Sequence, residues 1–253
     1  MRKIDAIVPD WPAPTSVRAL TTTRAGGVSR GPWAALNLAA HVDDDPAAVA
    51  ANRARLIEAF GLPAEPLWLD QVHGTAVHVA GDRRGTCADA CFADRPGAVC
   101  AVLTADCLPV LICDRSGTAV AAAHAGWRGL LAGVIEQTLA HFDAAAADLL
   151  VWLGPAIGPQ AFEVGDEVRS AFLADDDAAD VHFLPHRPGH WLADLYGLAR
   201  LRLQRRGVAA IHGGGLCTYN DSDRFYSYRR DGVTGRMASL IWLQTRFDGN
   251  SDD

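Results

Sequence analysis

The chain has 253 residues, of which 49% are hydrophobic and 21% are charged, and its formal net charge is −7. This composition is typical of a soluble globular protein, and the negative charge argues against a nucleic-acid-binding protein, which normally carries a basic face. No stretch has the length of a membrane span or the form of a secretory signal. We therefore expect a cytoplasmic protein that has neither nucleic acid nor a membrane as its partner.

The first third of the sequence predicts a strand, a helix and a pair of short strands. Residues 17–27 begin with β-favouring side chains and end in a glycine turn. Residues 44–61, DDPAAVAANRARLIEAFG, place Pro46 in the first turn and a glycine at the end, which is the pattern of a capped helix. Residues 67–80, LWLDQVHGTAVHVA, alternate like two short strands around His73 and the glycine after it.

The rest of the sequence mixes apolar strands with amphipathic helices. Strands are predicted within residues 98–114, 118–127, 148–159 and 209–219, and helices within residues 128–142 and 191–208. The first two of these strand regions are so continuously apolar that both of their faces should be buried. No linker rich in proline, glycine or serine divides the chain. We expect one domain over residues 1–253, of the α/β (α+β) class, with a largely buried mixed β-sheet flanked by helices.

Residues 224–243, RFYSYRRDGVTGRMASLIWL, allow two interpretations. The simpler and preferred one is a β-hairpin that closes the sheet, with DGVTG as its turn. The alternative is that the aromatic and arginine side chains form a wall of a pocket for a base, against which the base stacks.

One cysteine and two histidines stand at the ends of predicted strands. Cys107 follows Asp106 where one apolar strand begins, His124 lies near the end of the next strand, and His73 lies in DQVHGT. A thiolate and two imidazoles form a zinc ligand set that leaves the fourth position for water, as in catalytic sites. Such a zinc ion lowers the pKa of its water from near 16 to roughly 7.

The residue types alone favour a simpler interpretation of the same residues. Free cysteine is among the most frequently buried residues, so Cys107 could be a core thiol and His124 a hydrogen-bonded core histidine. The chain contains six cysteines, and in a reducing compartment we expect thiols or ligands rather than disulfides.

Six blocks along the chain carry a resemblance to a known family. They are TRAGGVSRGPWAALNLAAHVDDDPAAVAANRARL, DQVHGTAV, TADCLPVLICD, AAAHAGWRGLLAGVI, LGPAIGPQAFEVGDEV and GGLCTYNDSDRFYSYRRDGVTGRMASLIWL. Together and in this order they resemble the laccase-domain (YfiH-type) family of purine nucleoside phosphorylases, formerly described as multicopper polyphenol oxidoreductases. In one place the chain departs from many relatives, which have cysteines after GPxIGP where this chain has Gln160 and Ala161.

The resemblance implies a metal site and an activity. The zinc (Zn²⁺) ligands of the family correspond to His73, Cys107 and His124 of this chain. The implied substrates are purine nucleosides and phosphate: phosphorolysis of adenosine, inosine, guanosine and methylthioadenosine, with deamination of adenosine as a second activity.

Further residues are candidates for roles in these reactions. Cys107 and His124 are candidate catalytic residues as well as ligands, and Asp106 and Glu163 are the candidate proton carriers. Arginine binds two phosphate oxygens at once, and the residues that we expect to bind phosphate, sugar or base are Arg24, Ser29, Asn37 and Arg128.

Three other functions compete with this one. Cys107 and His124 could form the nucleophile and base of an amidase, for example one acting on cell-wall precursors. The chain could instead be a non-enzymatic binding module. A copper polyphenol oxidase is disfavoured, because the chain has only nine histidines and no His-x-His pair, so copper would bind only by misloading at the zinc site.

Overall fold

The computed structural model describes residues 3–82 and 85–244, which form three β-sheets and helices that cover them. The strands are β1 Ala6–Ile7, β2 Val17–Thr22, β3 Val77–Val79, β4 Ala90–Ala93, β5 Val99–Thr104, β6 Leu108–Asp114, β7 Val120–Ala125, β8 Leu149–Leu153, β9 Glu163–Gly165, β10 Phe183–Pro185, β11 His190–Ala193, β12 Ala210–Gly213 and β13 Met237–Leu243. The α-helices are α1 Pro46–Phe60, α2 Trp127–Ala132, α3 Val134–Leu139, α4 Asp166–Asp175, α5 Leu195–Arg205 and α6 Tyr228–Asp231. Short 3-10 helices cover Gly31–Trp33, Ala146–Asp148 and Asp177–His182.

Two of the sheets form the centre of the molecule. The six-stranded sheet has the order β12-β8-β6-β7-β4-β3, with parallel pairs at its two ends and antiparallel pairs between them. The four-stranded sheet, β1-β2-β13-β5, is antiparallel throughout. A small antiparallel sheet, β10-β11-β9, stands apart from them. These findings confirm the predicted class and its buried mixed sheet.

The two large sheets pack face to face, and helices cover their outer faces. Cys113 and Ala122 of the six-stranded sheet share one core cluster with Val102 and Ile241 of the four-stranded sheet. The other face of the six-stranded sheet packs on α2 to α5, and α1 packs on the far face of the four-stranded sheet. Every residue of β4 to β8 is buried, because each of these strands is covered on both faces.

Helix α1 shows how closely local sequence sets an element. The Asp45 side chain accepts a hydrogen bond from the Ala47 backbone N–H at 2.9 Å, Pro46 occupies the first turn, and Gly61 ends the helix with φ 57°. Each of these residues fits its position, since proline suits the first turn and glycine the left-handed cap. The predicted helix is confirmed.

Two predicted elements differ in their extent in the structure. Residues 128–142 do not form one helix, because Gly133 adopts φ 98° and separates α2 from α3. Of the two short strands predicted around His73, only β3 forms, and Leu67 contributes an isolated bridge to Cys100.

The preferred hairpin at residues 224–243 is wrong. The N-terminal half forms the short helix α6, which is capped by the Ser227 hydroxyl, and only the C-terminal half is a strand, β13. That strand pairs with β2 and β5, which are distant in sequence. Long-range pairing has therefore replaced the local hairpin.

Within the described residues, no helix is long and apolar enough to cross a membrane. All six cysteines are free thiols, as predicted. Cys91 and Cys100 face each other across the inter-sheet core with their sulfur atoms 3.1 Å apart.

Candidate metal centre

The candidate site lies where the chain passes from one central sheet to the other. Strand β5 belongs to the four-stranded sheet and β6 to the six-stranded sheet, and only Ala105, Asp106 and Cys107 connect them. Asp106 adopts φ 94°, a conformation that is unfavourable for a residue other than glycine. This tight crossover places Cys107 at the open end of the space between the sheets.

His124 reaches the same place from the neighbouring strand. In the antiparallel pairing of β6 with β7, Leu108 lies opposite Ala125 and Pro109 opposite His124. Because side chains alternate across a strand, Cys107 and His124 project from the same face of the sheet, the face that packs on the four-stranded sheet. The prediction that both emerge at one end of the sheet is confirmed.

Gly126 leaves room for the other two side chains. A Cβ atom at this position would lie 2.9 Å from Cys107 Sγ and 2.9 Å from His73 Cδ2. Real Cβ contacts are longer than this, so any larger residue would displace the sulfur atom or the imidazole. The glycine after the HA dipeptide is therefore needed for the close approach of backbone to site.

Asp89 holds the His73 loop and His124 together. Its carboxylate is 0% exposed and accepts hydrogen bonds from the backbone N–H groups of Val72, His73 and Gly74 at 3.2, 2.9 and 2.6 Å. It also accepts one from His124 Nδ1 at 2.9 Å. Since a carboxylate only accepts, His124 carries its proton on Nδ1 and leaves Nε2 as the potential ligand atom.

The three side chains form a cluster that fits a metal ion. Their ligand atoms all lie within 4.8 Å of one another, and Cys107 Sγ is 3.8 Å from His73 Nε2. A tetrahedral zinc ion with bonds of about 2.0–2.3 Å holds its ligands roughly 3.5 Å apart, so small shifts would close the cluster on an ion. The cluster could bind a metal, and the donor set, the Gly126 cradle and the Asp89 support all suit one.

The cluster also shifts the pKa values of its own members. Burial by itself would raise the pKa of the Cys107 thiol, but attraction to His124 and hydrogen bonds from His124 and His73 outweigh it and lower the pKa to about 6. Burial would likewise lower the pKa of His124, but Cys107 and Asp89 outweigh it and raise the pKa to about 9. In the metal-free protein the pair is therefore a thiolate and an imidazolium near neutral pH.

A cavity of about 510 Å³ opens beside the cluster. Its walls include the apolar or aromatic side chains of Trp127, Ile157, Phe162 and Tyr228. The cavity lies within the size range of sites for small organic ligands, and its mixture of apolar walls and a few polar groups is typical of such sites.

Asp106 lines this cavity but is firmly held. It is 8% exposed, and its two carboxylate oxygens accept hydrogen bonds from the Thr218 hydroxyl at 2.6 Å and from the Arg229 backbone N–H at 2.7 Å. These bonds stabilise the strained crossover that presents Cys107. The structure thus brings one of the two predicted proton carriers to the cavity wall, where these two hydrogen bonds hold its side chain in place.

Glu163, the other predicted proton carrier, does not line the cavity. Its carboxylate accepts hydrogen bonds from Arg187 Nε and Nη2 at 2.8 and 2.6 Å, and His186 lies 3.3 Å away. Hydrogen bonds from Arg187 lower the pKa of Glu163 to about 2.

Of the four predicted substrate-binding residues, only Arg128 lines the cavity. The Arg24 guanidinium donates to the carbonyls of Ala34 and Ser222. Ser29 donates to Asp44 at 2.6 Å, and the fully buried Asn37 amide donates to the same carboxylate at 2.9 Å.

These bonds place Arg24, Ser29 and Asn37 in the network that shapes the N-terminal loops. Asn37 Oδ1 also accepts from the Arg236 backbone N–H at 3.0 Å, and Arg236 lines the cavity. The network therefore supports one wall of the site from behind.

Sequence reasoning missed Asp89 and Thr104, and considered Tyr228, Arg229 and Arg236 only as part of a disfavoured alternative. All of these except Asp89 line the cavity. A single aspartate directly before a wholly apolar strand was the available signal for Asp89. Thr104 and Arg236 have no local signal, because each is brought to the cavity by pairing between β5 and β13.

Comparison with known proteins agrees with this site. The family model described as multi-copper polyphenol oxidoreductase laccase matches residues 18–244. The chain belongs to this family. The resemblance inferred from the six sequence blocks is therefore confirmed, and the matched range includes every residue of the metal cluster.

Two similar bacterial members of the family carry the name of an enzyme. A protein of Pseudomonas aeruginosa named purine nucleoside phosphorylase is 59% identical over 239 residues, covering 94% of this chain and 98% of its own length. Purine nucleoside phosphorylase YfiH of Escherichia coli is 56% identical over 239 residues, with the same coverage.

A solved structure has the same fold. The crystal structure of Neisseria meningitidis protein NMB0706 superposes on this chain with a TM-score of 0.90 and 50% sequence identity, covering 95% of this chain and 99% of that one.

Proposed function

We propose that this member of the laccase-domain family is a zinc-dependent purine nucleoside phosphorylase that also deaminates adenosine. Adenosine, inosine, guanosine and methylthioadenosine are its proposed nucleosides. The observation that carries the proposal is the cluster of His73, Cys107 and His124 at the wall of a cavity of about 510 Å³. The names of relatives that share more than half of the sequence support the same reaction.

Zinc suits the cluster better than the copper that the family description suggests. A multicopper oxidase needs several clusters of histidine ligands, whereas residues 3–82 and 85–244 contain one cluster of three or more potential ligands. One thiolate and two imidazoles match the catalytic zinc pattern. When bound there, zinc would act as a Lewis acid and lower the pKa of a water molecule to about 7.

The residues around the cluster have separate proposed roles. Asp89 orients His124 and fixes the backbone of the His73 loop. Trp127, Phe162 and Tyr228 offer flat surfaces on which a purine can stack. Asp106 lines the cavity whereas Glu163 does not, and we therefore assign proton transfer to the departing purine or amine to Asp106.

We place the reaction in the cytoplasm, where six free thiols remain reduced. The substrates proposed there are a purine nucleoside and inorganic phosphate.

The direct test combines metal analysis with product analysis. Purified protein should contain about one zinc per chain, and with inosine and phosphate it should yield hypoxanthine and ribose 1-phosphate; adenosine alone should yield inosine and ammonia. Removal of zinc should abolish turnover, and added zinc should restore it. Full phosphorolysis by metal-free protein would contradict the metal role, and zinc-loaded protein that forms neither product would contradict the function.

A second function is favoured by one observation. Cys107, His124 and Asp89 follow the order of nucleophile, base and orienting acid, with His124 Nδ1 2.9 Å from Asp89, which is the logic of a catalytic triad. An amidase acting on a cell-wall precursor would use this arrangement without metal. Amide hydrolysis that survives chelation and traps a thioester on Cys107 would support this function over the first.

A further inference from the structure

Two sets of arginines among the described residues differ in their ion pairing. Six arginines make ion pairs with carboxylates: Arg169, Arg187, Arg202, Arg205, Arg224 and Arg230. The three that line the cavity, Arg128, Arg229 and Arg236, have no such pair within the described chain. Asp106 and Cys107 in the same cavity attract Arg236, but the three guanidinium groups make no ion pair with a carboxylate of the described chain.

The cavity arginines also retain unused hydrogen-bond donors. Arg236 uses Nη1 for the carbonyls of Thr234 and Gly235, and its Nε and Nη2 donate to no described residue. The Arg128 guanidinium lies over the Trp127 ring, 4.3 Å from its centroid, and makes no hydrogen bond to the described chain. Arg229 donates through Nη1 to the Glu163 carbonyl at 2.8 Å, which leaves its other side-chain donors available.

A buried hydroxyl in the same cavity gives an independent indication. Thr104 ends β5, lines the cavity and is 2% exposed. Its Oγ1 is buried and has no hydrogen-bond partner among the described residues. A buried hydroxyl without a hydrogen bond destabilises the folded protein, unless a ligand or a water molecule supplies the missing bond.

We propose that Arg236, Arg128 and Arg229, together with the Thr104 hydroxyl, form the binding site for the inorganic phosphate of the phosphorylase reaction. This inference rests on the proposed function and adds the phosphate site, which lies in the same cavity as the His73, Cys107 and His124 cluster. It differs from the site expected at Arg24, which does not line the cavity and donates to the carbonyls of Ala34 and Ser222.

The side chains of this proposed site have the chemistry that binds phosphate. Guanidinium groups bind phosphate oxygens in pairs, and a threonine hydroxyl can donate to a further oxygen. Among the described residues, Asp106 is the carboxylate that lines the cavity, and both of its oxygens accept hydrogen bonds, from the Thr218 hydroxyl and the Arg229 backbone, so it forms no ion pair with the arginine side chains.

In the phosphorolysis that this site would serve, one bond to ribose C1′ replaces another. A phosphate oxygen forms a bond to ribose C1′ while the bond from C1′ to purine N9 breaks. The electron pair of that bond remains on the purine, which takes up through Asp106 the proton that hydrogen phosphate loses, and the products are the free base and ribose 1-phosphate.

The test measures the KM for phosphate and the KM for inosine separately on zinc-loaded protein. The variants are Arg236→Lys, Arg128→Met and Thr104→Val, with Arg18→Met, an exposed residue of β2 outside the cavity, as the matched control. We expect the phosphate KM to rise about tenfold or more for Arg128→Met and Arg236→Lys. The inosine KM should change by less than about twofold in each, and the control should behave as wild type.

Calorimetric titration with phosphate, sulfate and acetate gives a readout that does not depend on turnover. Phosphate should bind to wild type more tightly than acetate does, and its Kd should rise in the variants. Thr104→Val should weaken phosphate binding and keep or raise the Tm of the ligand-free protein, since it removes an unpartnered buried hydroxyl.

The possible outcomes separate this site from the function. Phosphorolysis by wild type, with an unchanged phosphate KM in all three variants, would overturn the site and leave the function intact. Phosphate binding that the variants lose, in a protein without phosphorolysis, would support the site and overturn the function. Equal affinity for acetate and phosphate would overturn the assignment to phosphate.

Discussion

Two walls of the cavity differ in how their polar groups are satisfied. The metal wall is formed by His73, Cys107 and His124, and the arginine wall is formed by Arg128, Arg229, Arg236 and Thr104. On the metal wall, the supporting carboxylate of Asp89 is satisfied by the protein, since it accepts four hydrogen bonds. On the arginine wall, Arg128 and Thr104 have polar groups without a partner in the described residues. A wall that is complete without substrate positions a permanent group, whereas an incomplete wall is suited to a ligand that enters and leaves.

Removing a ligand of the metal wall should have the largest effect. Cys107→Ala and His124→Ala should each lose zinc and reduce inosine turnover more than about a hundredfold, since even loss of supporting residues costs 10–100-fold. Zinc content by elemental analysis and kcat by product formation check this, with the exposed Cys87→Ser as control. Either variant that keeps wild-type turnover would exclude the three-ligand site.

The sequence allowed the metal wall to be predicted, but of the arginine wall it singled out only Arg128 as a substrate-binding residue. Cys107 and His124 lie on strands adjacent in sequence that pair directly, so local patterns and motifs placed them together. Arg236 and Thr104 meet only because β13 pairs with β5 over more than a hundred residues.

The same reason explains the outcome for the other elements. Strands with continuous apolar runs and the capped helix α1 were predicted, because their signals are local. The hairpin predicted at residues 224–243 failed because a strand beside a tight turn is equally compatible with a distant partner. Arg24 carried a strong motif signal, yet its bonds to Ala34 and Ser222 depend on loops that only the fold brings together.

Substitution of Asp89 should have the next largest effect. Asp89→Asn keeps the size of the side chain but replaces one accepting oxygen with an NH₂ group, so one of its four donors loses its partner. We expect zinc affinity to fall about 10–100-fold, and added zinc to restore most of kcat. A chelator competition gives the affinity. An unchanged affinity would show that Asp89 serves only to hold the loop.

On the metal wall, the rate at which Cys107 is alkylated should depend on pH and on bound zinc. The pKa of Cys107 is lowered to about 6 in the metal-free protein, so its thiolate fraction is high at pH 7 and falls as the pH drops through 6. Iodoacetamide should therefore alkylate metal-free protein about tenfold faster at pH 7 than at pH 5. Bound zinc should protect the sulfur at both pH values.

Mass spectrometry of the alkylated peptide measures this rate for Cys107 separately from the other cysteines. A rate that rises only above pH 8, as for an ordinary thiol, would mean that the thiolate is not stabilised by His124 and His73. In His124→Ala, which keeps His73, the rise in rate should move to a higher pH than in the wild type.

The smallest effect is expected at Glu163, which lies outside both walls. Its carboxylate is paired with Arg187, and hydrogen bonds from Arg187 lower its pKa to about 2, so it holds no proton to donate near neutral pH. Glu163→Gln should change kcat for inosine and for adenosine by less than about twofold, as expected for a surface ion pair. A tenfold fall in kcat with an unchanged KM would instead identify Glu163 as the proton carrier. The pH profile would then have to lose its alkaline limb in the variant, because a proton donor loses activity when it deprotonates, whereas a structural role of the ion pair would leave that limb in place.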